Sequence, residues 1–220
     1  MKTKCAIFDF DGTLFDSMYI WEEIGAVYLR SLGKEPKPSL RDEIRTFSLY
    51  QAACYMKAEY GLSLTPEEIM AGINEKIEHF YLYEVLPKPG ALEFIGEMKK
   101  AGILMCIATA SDRNQVEAAL SRCRMKDYFE EIFACSDIGH GKDEPIIFRK
   151  AMEYFGADRS TSLIFEDALH AARTAKADGF KVVGVFDESE KRQEELLRIA
   201  DFYLSDFEYT EEFWKFADAE

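Results

Sequence analysis

Hydrophobic residues along the chain gather in short runs, and stretches of helical periodicity separate these runs. Six runs have the length and composition of buried β-strands, the last weaker than the others: Cys5–Phe8, Ile103–Ala108, Glu131–Cys135, Ser162–Phe165, Lys181–Phe186 and Phe202–Leu204. Helical patterns lie between them, at Ala91–Ala101, Asp112–Arg124, Pro145–Phe155, Ala168–Gly179 and Glu188–Ala200. Since such alternation is typical of parallel sheets, we predict an α/β fold with a doubly wound, Rossmann-like parallel sheet.

Residues 15–87 break this alternation, because they contain helical patterns and no convincing strand. The first of three predicted helices begins at Asp16 or Ser17, and the second occupies Leu40–Tyr60. Thr65-Pro66-Glu67-Glu68 has the composition of a helix cap and first turn, and marks the third helix. We therefore predict a helical cap subdomain at 15–87, inserted after the first strand into an α/β core of residues 1–14 and 88–220.

The chain is acidic, with 41 Asp and Glu against 27 Lys and Arg and a formal net charge of -14. This charge disfavours binding to a nucleic-acid backbone or an anionic membrane, so we predict neither as a partner. The same charge repels a phosphorylated ligand. A phosphate site in this chain therefore needs a local cation that reverses the field.

The five cysteines are scattered and odd in number, as expected for buried small side chains in a reducing compartment: Cys5, Cys54, Cys106, Cys123 and Cys135. The apolar run before Asp9 is too short for a signal peptide, and no long uncharged apolar stretch follows. We predict a cytoplasmic protein. The sequence does not fix the oligomeric state, although a monomer is favoured.

Residues that suit phosphate chemistry follow four of the predicted strands. In an open parallel sheet, ligands bind beyond the carboxyl ends of the strands. These ends carry Asp9-Phe10-Asp11-Gly12-Thr13-Leu14, Thr109-Ala110-Ser111, Lys142 in the loop after the third strand, and Glu166-Asp167. We expect these four groups to converge on one site.

The segment Asp9-Phe10-Asp11-Gly12-Thr13-Leu14-Phe15-Asp16-Ser17 resembles the first motif of the haloacid dehalogenase-like superfamily. The later three groups resemble its remaining motifs in the same order, and the insertion is similar to its small α-helical cap. The phosphoglycolate phosphatase-like and β-phosphoglucomutase-like proteins are the subgroup that the chain resembles most. One departure is Asp143-Glu144-Pro145, since relatives commonly have a proline directly after the lysine.

The resemblance implies a role for each strand-end acid. Asp9 would be the nucleophile, because a carboxylate is ionised at neutral pH and can attack phosphorus without an activating base. Asp11 would protonate the leaving oxygen and later take a proton from water. Asp9, the carbonyl oxygen of Asp11, Glu166 and Asp167 offer hard oxygen ligands for octahedral Mg²⁺, the predicted cofactor. Either Glu166 or Asp167 can contact the metal directly, and we favour Asp167.

The remaining residues would bind phosphate. Gly12 would let the chain turn sharply and bring backbone N–H groups towards it. The Thr109 hydroxyl and the Ala110 N–H would hold a phosphate oxygen, and Ser111 is expected to cap the following helix. Lys142 would balance the charge of Asp9 and of the transferring phosphoryl group.

These residues predict a magnesium-dependent phosphatase that hydrolyses a small phosphate monoester through an aspartyl-phosphate. A β-phosphoglucomutase-like sugar-phosphate mutase is the alternative, and it needs a second anion site in the cap. Arg41, Arg45 and Lys57 have the right charge, but the glycine-serine-arginine loop of mutase relatives is absent. A noncatalytic phosphate-binding module is a third reading, which the Asp9 and Asp11 pair disfavours. Dehalogenation is a fourth, although dehalogenases of the family generally lack an acid at the position of Asp11.

Overall fold

A computed structural model describes residues 3–45 and 47–218. The chain divides into two compact units, one of Met1–Ser17 with Val85–Glu220 and one of Met18–Glu84. The strands are β1 (Cys5–Phe8), β2 (Leu104–Thr109), β3 (Glu131–Ala134), β4 (Ser162–Glu166), β5 (Lys181–Val185) and β6 (Phe202–Leu204). The α-helices are α1 (Met18–Ser31), α2 (Leu40–Ile44), α3 (Leu49–Tyr60), α4 (Pro66–Tyr83), α5 (Ala91–Lys100), α6 (Arg113–Arg122), α7 (Cys135–Ile138), α8 (Ile146–Tyr154), α9 (Leu169–Ala177), α10 (Gln193–Ile199) and α11 (Glu211–Asp218).

The larger unit is built on one sheet with the strand order β3-β2-β1-β4-β5-β6. Every neighbouring pair of strands is parallel. Because the order reverses between β1 and β4, this is a doubly wound sheet with its ligand crevice expected at that reversal. The predicted α/β, Rossmann-like parallel sheet is confirmed.

Helices cover both faces of the sheet, which explains why the strands read as continuous apolar runs. All four residues of β1 are fully buried. Ile7 belongs to a core cluster that includes residues of α8 and α9. Phe8 points to the opposite face, because side chains alternate along a strand, and its ring stacks on Phe165 with centroids 4.1 Å apart.

The structure begins α10 at Gln193, whereas the sequence pattern predicted a start at Glu188. Acidic side chains hold the intervening residues in turns: an Asp187 carboxylate oxygen accepts from Ser189 N at 3.0 Å, and Glu190 accepts from Arg192 N at 2.9 Å. Such local hydrogen bonds give the backbone an alternative to the helix.

The smaller unit consists of the helices α1 to α4, with α1 and α3 packed against α4. Thr65 caps α4 as predicted, in a capping box with Glu68. The single helix predicted at Leu40–Tyr60 is wrong, since α2 and α3 divide this range and Ser48 starts α3 with a second capping box. The first helix starts at Met18, one residue after the predicted Ser17.

No helix in the part of the chain that the structure describes is long and apolar enough to cross a membrane. The five cysteines are free thiols.

Candidate active site

A tight loop after β1 places the first two acids. The chain turns at Gly12, whose φ of 73° lies in the left-handed region that favours glycine. Gly12 N donates to Phe15 O at 3.0 Å, and Phe15 N donates back to Phe10 O at 2.9 Å. The loop therefore carries its own hydrogen bonds and holds Asp9 and Asp11 at the carboxyl end of the central strand.

Lys142 lies between two carboxylates. Its Nζ is 2.6 Å from Asp9 Oδ1 and 2.6 Å from Glu166 Oε1, and its side chain is only 6% exposed. The strand register explains this meeting, since Asp9 N donates to Phe165 O at 2.9 Å and so continues the ladder beside Glu166. Lys142 reaches the pair from the loop between α7 and α8.

Burial and charge act against each other on these groups. Burial favours the neutral amine of Lys142, but the negative charges of Asp9 and Glu166 outweigh it and raise the pKa of Lys142. Burial, followed by repulsion from Asp9, raises the pKa of Glu166 despite the contact with Lys142. Lys142 therefore stays protonated, and the raised pKa means that Glu166 ionises less readily than an ordinary carboxyl group.

Thr13 fixes the second acid of the β4 end. Its hydroxyl donates to Asp167 Oδ1 at 2.7 Å and accepts from Asp167 N at 3.0 Å. Burial, then repulsion from Asp9, raises the pKa of Asp167 to about 7. The sequence contains no signal for this contact, because Asp167 lies 154 residues from Thr13.

Asp9, Glu166 and Asp167 each offer a carboxylate oxygen, and these oxygens lie within 4.8 Å of one another. Two of the three side chains are almost fully buried, which is costly without a cation. Hard oxygen donors at this spacing suit Mg²⁺. The donor set therefore fits the predicted metal, and Asp11 can add only its backbone carbonyl, since its carboxylate is not in this group.

The Asp11 carboxylate is held by two serines. Ser17 Oγ donates to Asp11 Oδ1 at 2.7 Å, and Ser111 Oγ donates to Asp11 Oδ2 at 2.6 Å. Ser111 N in turn donates to Thr109 Oγ1 at 3.0 Å, which links the end of β2 to Asp11. The expected capping role of Ser111 is wrong, because Asp112 occupies the N-cap of α6.

The remaining predicted residues also lie at this edge of the sheet. Thr109 is the last residue of β2 and fully buried, Ala110 follows it, and Gly12 is buried in the β1 loop.

A further ion pair was not predicted: Lys88 Nζ lies 2.9 Å from Asp187 Oδ2, just beyond β5. The position of Asp187 just after β5 is the signal in the sequence that could have indicated this pair. The negative charge of Asp187 contributes to the raised pKa of Asp167.

The chain is an α/β protein with a doubly wound sheet, and carboxylates and a lysine gather at the carboxyl edge of that sheet, where such folds bind their ligands. The family model for haloacid dehalogenase-like hydrolases matches residues 6–185. The chain therefore belongs to the haloacid dehalogenase-like hydrolases, which confirms the resemblance found in its motifs.

Relatives of known name agree with this family. The chain is 26% identical over 190 residues to a bifunctional riboflavin kinase/FMN phosphatase of Arabidopsis thaliana; the match covers 83% of this chain and 48% of the relative, so the chain spans about half of that protein. It is 28% identical over 189 residues to the pyrophosphatase PpaX of Bacillus velezensis, with 84% of this chain and 83% of the relative covered. The predicted enzyme class, a phosphohydrolase, agrees with these phosphatase relatives.

Among solved structures, a provisionally named beta-phosphoglucomutase from Thermotoga maritima has a TM-score of 0.84. It is 20% identical in sequence, and the match covers 97% of this chain and 99% of that chain. At this identity the likeness shows the fold alone. It leaves the choice between phosphatase and mutase chemistry to the site.

Proposed function

We propose that the protein is a magnesium-dependent phosphatase that hydrolyses a small phosphate monoester through an aspartyl-phosphate on Asp9. One observation carries this proposal. Three carboxylates with oxygens within 4.8 Å surround the buried end of β1, and the Lys142 ammonium lies 2.6 Å from two of them.

The charges of the site favour a divalent cation. When Asp9, Glu166 and Asp167 are ionised, Lys142 balances only one of the three negative charges. A phosphate monoester adds about two more negative charges. A bound Mg²⁺ would supply two positive charges, which offset the two carboxylate charges that Lys142 leaves unbalanced, and it would polarise the phosphoryl oxygens.

Asp9 is assigned as the nucleophile, and the contacts of its two carboxylate oxygens indicate which of them attacks phosphorus. Oδ1 accepts from Lys142 Nζ and from Phe10 N, both at 2.6 Å. We assign the attack on phosphorus to Oδ2, while these donors orient the carboxylate. Lys142 then stabilises the negative charge of the transferring phosphoryl group. The Thr109 hydroxyl and the Ala110 N–H would each donate a hydrogen bond to a phosphoryl oxygen and stabilise the same charge.

Asp11 is assigned as the general acid and base. It gives a proton to the leaving oxygen as the bond from Asp9 to phosphorus forms. It then takes a proton from the water that cleaves the aspartyl-phosphate, so both half-reactions use the same carboxyl group. The names FMN phosphatase and pyrophosphatase among the relatives support a small phosphorylated metabolite as substrate.

Hydrolysis of p-nitrophenyl phosphate by the purified protein tests this proposal. We expect activity with Mg²⁺, none with excess EDTA, and a loss of at least about 10³-fold in Asp9→Asn, because an amide cannot act as the nucleophile. Asp127→Asn, an exposed aspartate far from the β1 end in sequence, is the matched control and should keep full activity. Activity that survives both EDTA and Asp9→Asn would reject the proposal.

The mutase alternative needs cationic side chains available for a second phosphate. Two of its three candidates in the helical unit have local partners: Arg41 forms an ion pair with Glu22, and Lys57 Nζ donates to Leu64 O at 2.5 Å. These contacts support the phosphatase. If β-glucose 1-phosphate with a bisphosphate primer yields glucose 6-phosphate faster than free phosphate, the protein is a mutase.

A noncatalytic phosphate-binding module predicts a different result. Beryllofluoride with Mg²⁺ mimics a phosphorylated aspartate, so a phosphotransfer site should bind both together and raise the melting temperature. Asp9→Asn should abolish that rise. A protein that binds inorganic phosphate, shows no response to beryllofluoride and hydrolyses no phosphate ester would be such a module.

A further inference from the structure

The Asp11 carboxylate receives hydrogen bonds from two directions. Ser17 comes from the same loop, six residues along the chain, whereas Ser111 comes from the end of β2, 100 residues away. Their hydroxyls contact different oxygens, Oδ1 and Oδ2. A carboxylate held at both oxygens cannot rotate about its last torsion without breaking a hydrogen bond.

Ser111 is itself firmly placed. Its N–H donates to the buried Thr109 hydroxyl at 3.0 Å, and it lies in the short turn between β2 and α6. Through these two hydrogen bonds, Ser111 links the Asp11 carboxylate to the end of β2 and so fixes its position relative to the sheet. Ser17 is fully buried and makes the same kind of bond from the opposite end of the carboxylate.

We propose that Ser111, assisted by Ser17, is a positioning residue that orients the Asp11 carboxyl for proton transfer to the leaving group. This inference rests on the proposed phosphatase function. A serine hydroxyl can both donate and accept, so it can stay bonded to Asp11 through the whole cycle.

The Asp11 carboxyl group changes its protonation state twice in the cycle, so it must stay oriented in both states. In the first half-reaction the proton of the Asp11 carboxyl moves to the leaving oxygen as the ester P–O bond breaks and the Asp9–phosphorus bond forms. In the second, a water proton returns to Asp11 as the water oxygen bonds to phosphorus and Asp9 is released. Asp11 alternates between acid and carboxylate. In the acid form its single carboxyl proton points to the leaving oxygen, while the serine hydroxyls continue to donate to the carboxyl oxygens.

A comparison of two substrates with different leaving groups distinguishes a positioning role of Ser111 from a merely structural one. A p-nitrophenolate leaves without a proton, whereas an alkoxide needs one, so only alkyl phosphates depend on a well-oriented acid. We expect Ser111→Ala to lower kcat/KM for an alkyl phosphate such as glycerol 2-phosphate about tenfold, and to change that for p-nitrophenyl phosphate less than about twofold. Ser111→Thr keeps the hydroxyl and should restore most of the alkyl phosphate rate.

Two variants complete the experiment. Asp11→Asn sets the full loss of the acid, and Ser121→Ala on the exposed side of α6 is the matched serine control. Ser17→Ala should show the same selective loss, so the inference stays testable if Ser111→Ala does not fold. Equal losses on both substrates, no loss, or a gain on the alkyl phosphate would overturn the inference. If the wild type hydrolyses neither substrate, the proposed function fails and this inference fails with it.

Discussion

The Thr13 hydroxyl lies in a fully buried position between the β1 loop and the residues before α9. It uses one bond as donor and one as acceptor, both to Asp167. The hydroxyl thus fixes the carboxylate and the backbone of the same residue. In the proposed metal site, a ligand fixed in this way would need little reorganisation when a cation binds.

Replacing Thr13 with Val keeps the shape of the side chain and removes both bonds. We expect Thr13→Val to lower the free energy of unfolding by about 1–3 kcal/mol, because an Asp167 oxygen and N–H lose their partner in a buried site. We also expect Mg²⁺ to bind about tenfold more weakly, as for other groups that orient metal ligands. Urea unfolding and calorimetric Mg²⁺ titration measure these changes.

Thr13→Ser is the control for this prediction, since it retains the hydroxyl and should bind Mg²⁺ nearly as wild type does. Unchanged Mg²⁺ affinity in Thr13→Val would show that the hydroxyl does not orient the ligand.

The strand-end acids and Lys142 were predictable as a group because parallel strands end at one edge of the sheet. The structure brings Asp9, Lys142 and Glu166 into direct contact, while their chemical roles remain predictions. The serines could not be found in this way. Hydroxyl residues are common in loops, and the bond from Ser111 to Asp11 joins positions that only the folded chain brings together.

Elements with strong apolar patterns were predicted well, and short ones were not. The strands agree within a few residues, and β1, β2, β4 and β5, the ones with the strongest apolar runs, are buried over most of their residues. The helix α11 was missed, although Phe213 within it is fully buried against the Phe94 and Phe165 rings. Eight residues give too few turns for a periodic signal, and the aromatic partners of Phe213 lie far away in sequence.

The two ends of α5 offer a controlled test of packing between elements. Gly90 and Gly102 both have φ of +77°, so alanine is strained at either position. A Cβ on Gly90 would lie 2.6 Å from the Phe207 carbonyl carbon and oxygen, whereas a Cβ on Gly102 would meet nothing within 4 Å. The difference between the two variants therefore isolates the contact of α5 with the segment before α11.

We expect Gly102→Ala to cost about 1 kcal/mol of unfolding free energy, the strain of a left-handed alanine. Gly90→Ala should cost about 2 kcal/mol more, because backbone atoms must move to admit the methyl group. Urea denaturation of both variants gives the comparison. Equal losses would mean that the segment at Phe207 yields without cost.

Across the whole molecule, a net charge of -14 surrounds a site that is proposed to bind phosphate. The Lys142 ammonium is buried among the carboxylates and balances one of their negative charges. The remaining negative charge of this group suits a metal cation. Glu166 and Asp167 then carry raised pKa values while no cation is bound. Protons and the proposed Mg²⁺ would therefore compete for the same oxygens.

The sign of this competition follows from the pKa of Asp167, which burial and Asp9 raise to about 7. Between about pH 3.9, the usual pKa of an aspartate in an unfolded chain, and pH 7 the folded protein holds a proton that the unfolded chain has lost. The stability of the metal-free protein therefore falls as pH rises through this range and then levels off. Mg²⁺ binds the ionised form, and its apparent affinity should rise about tenfold from pH 6 to pH 8. The rise in melting temperature caused by Mg²⁺ should therefore be larger at pH 8.

Asp167→Asn should remove most of this response and make the metal-free protein more stable than wild type at pH 8. An equal effect of Mg²⁺ at both pH values would show that its binding does not depend on ionising these buried acids.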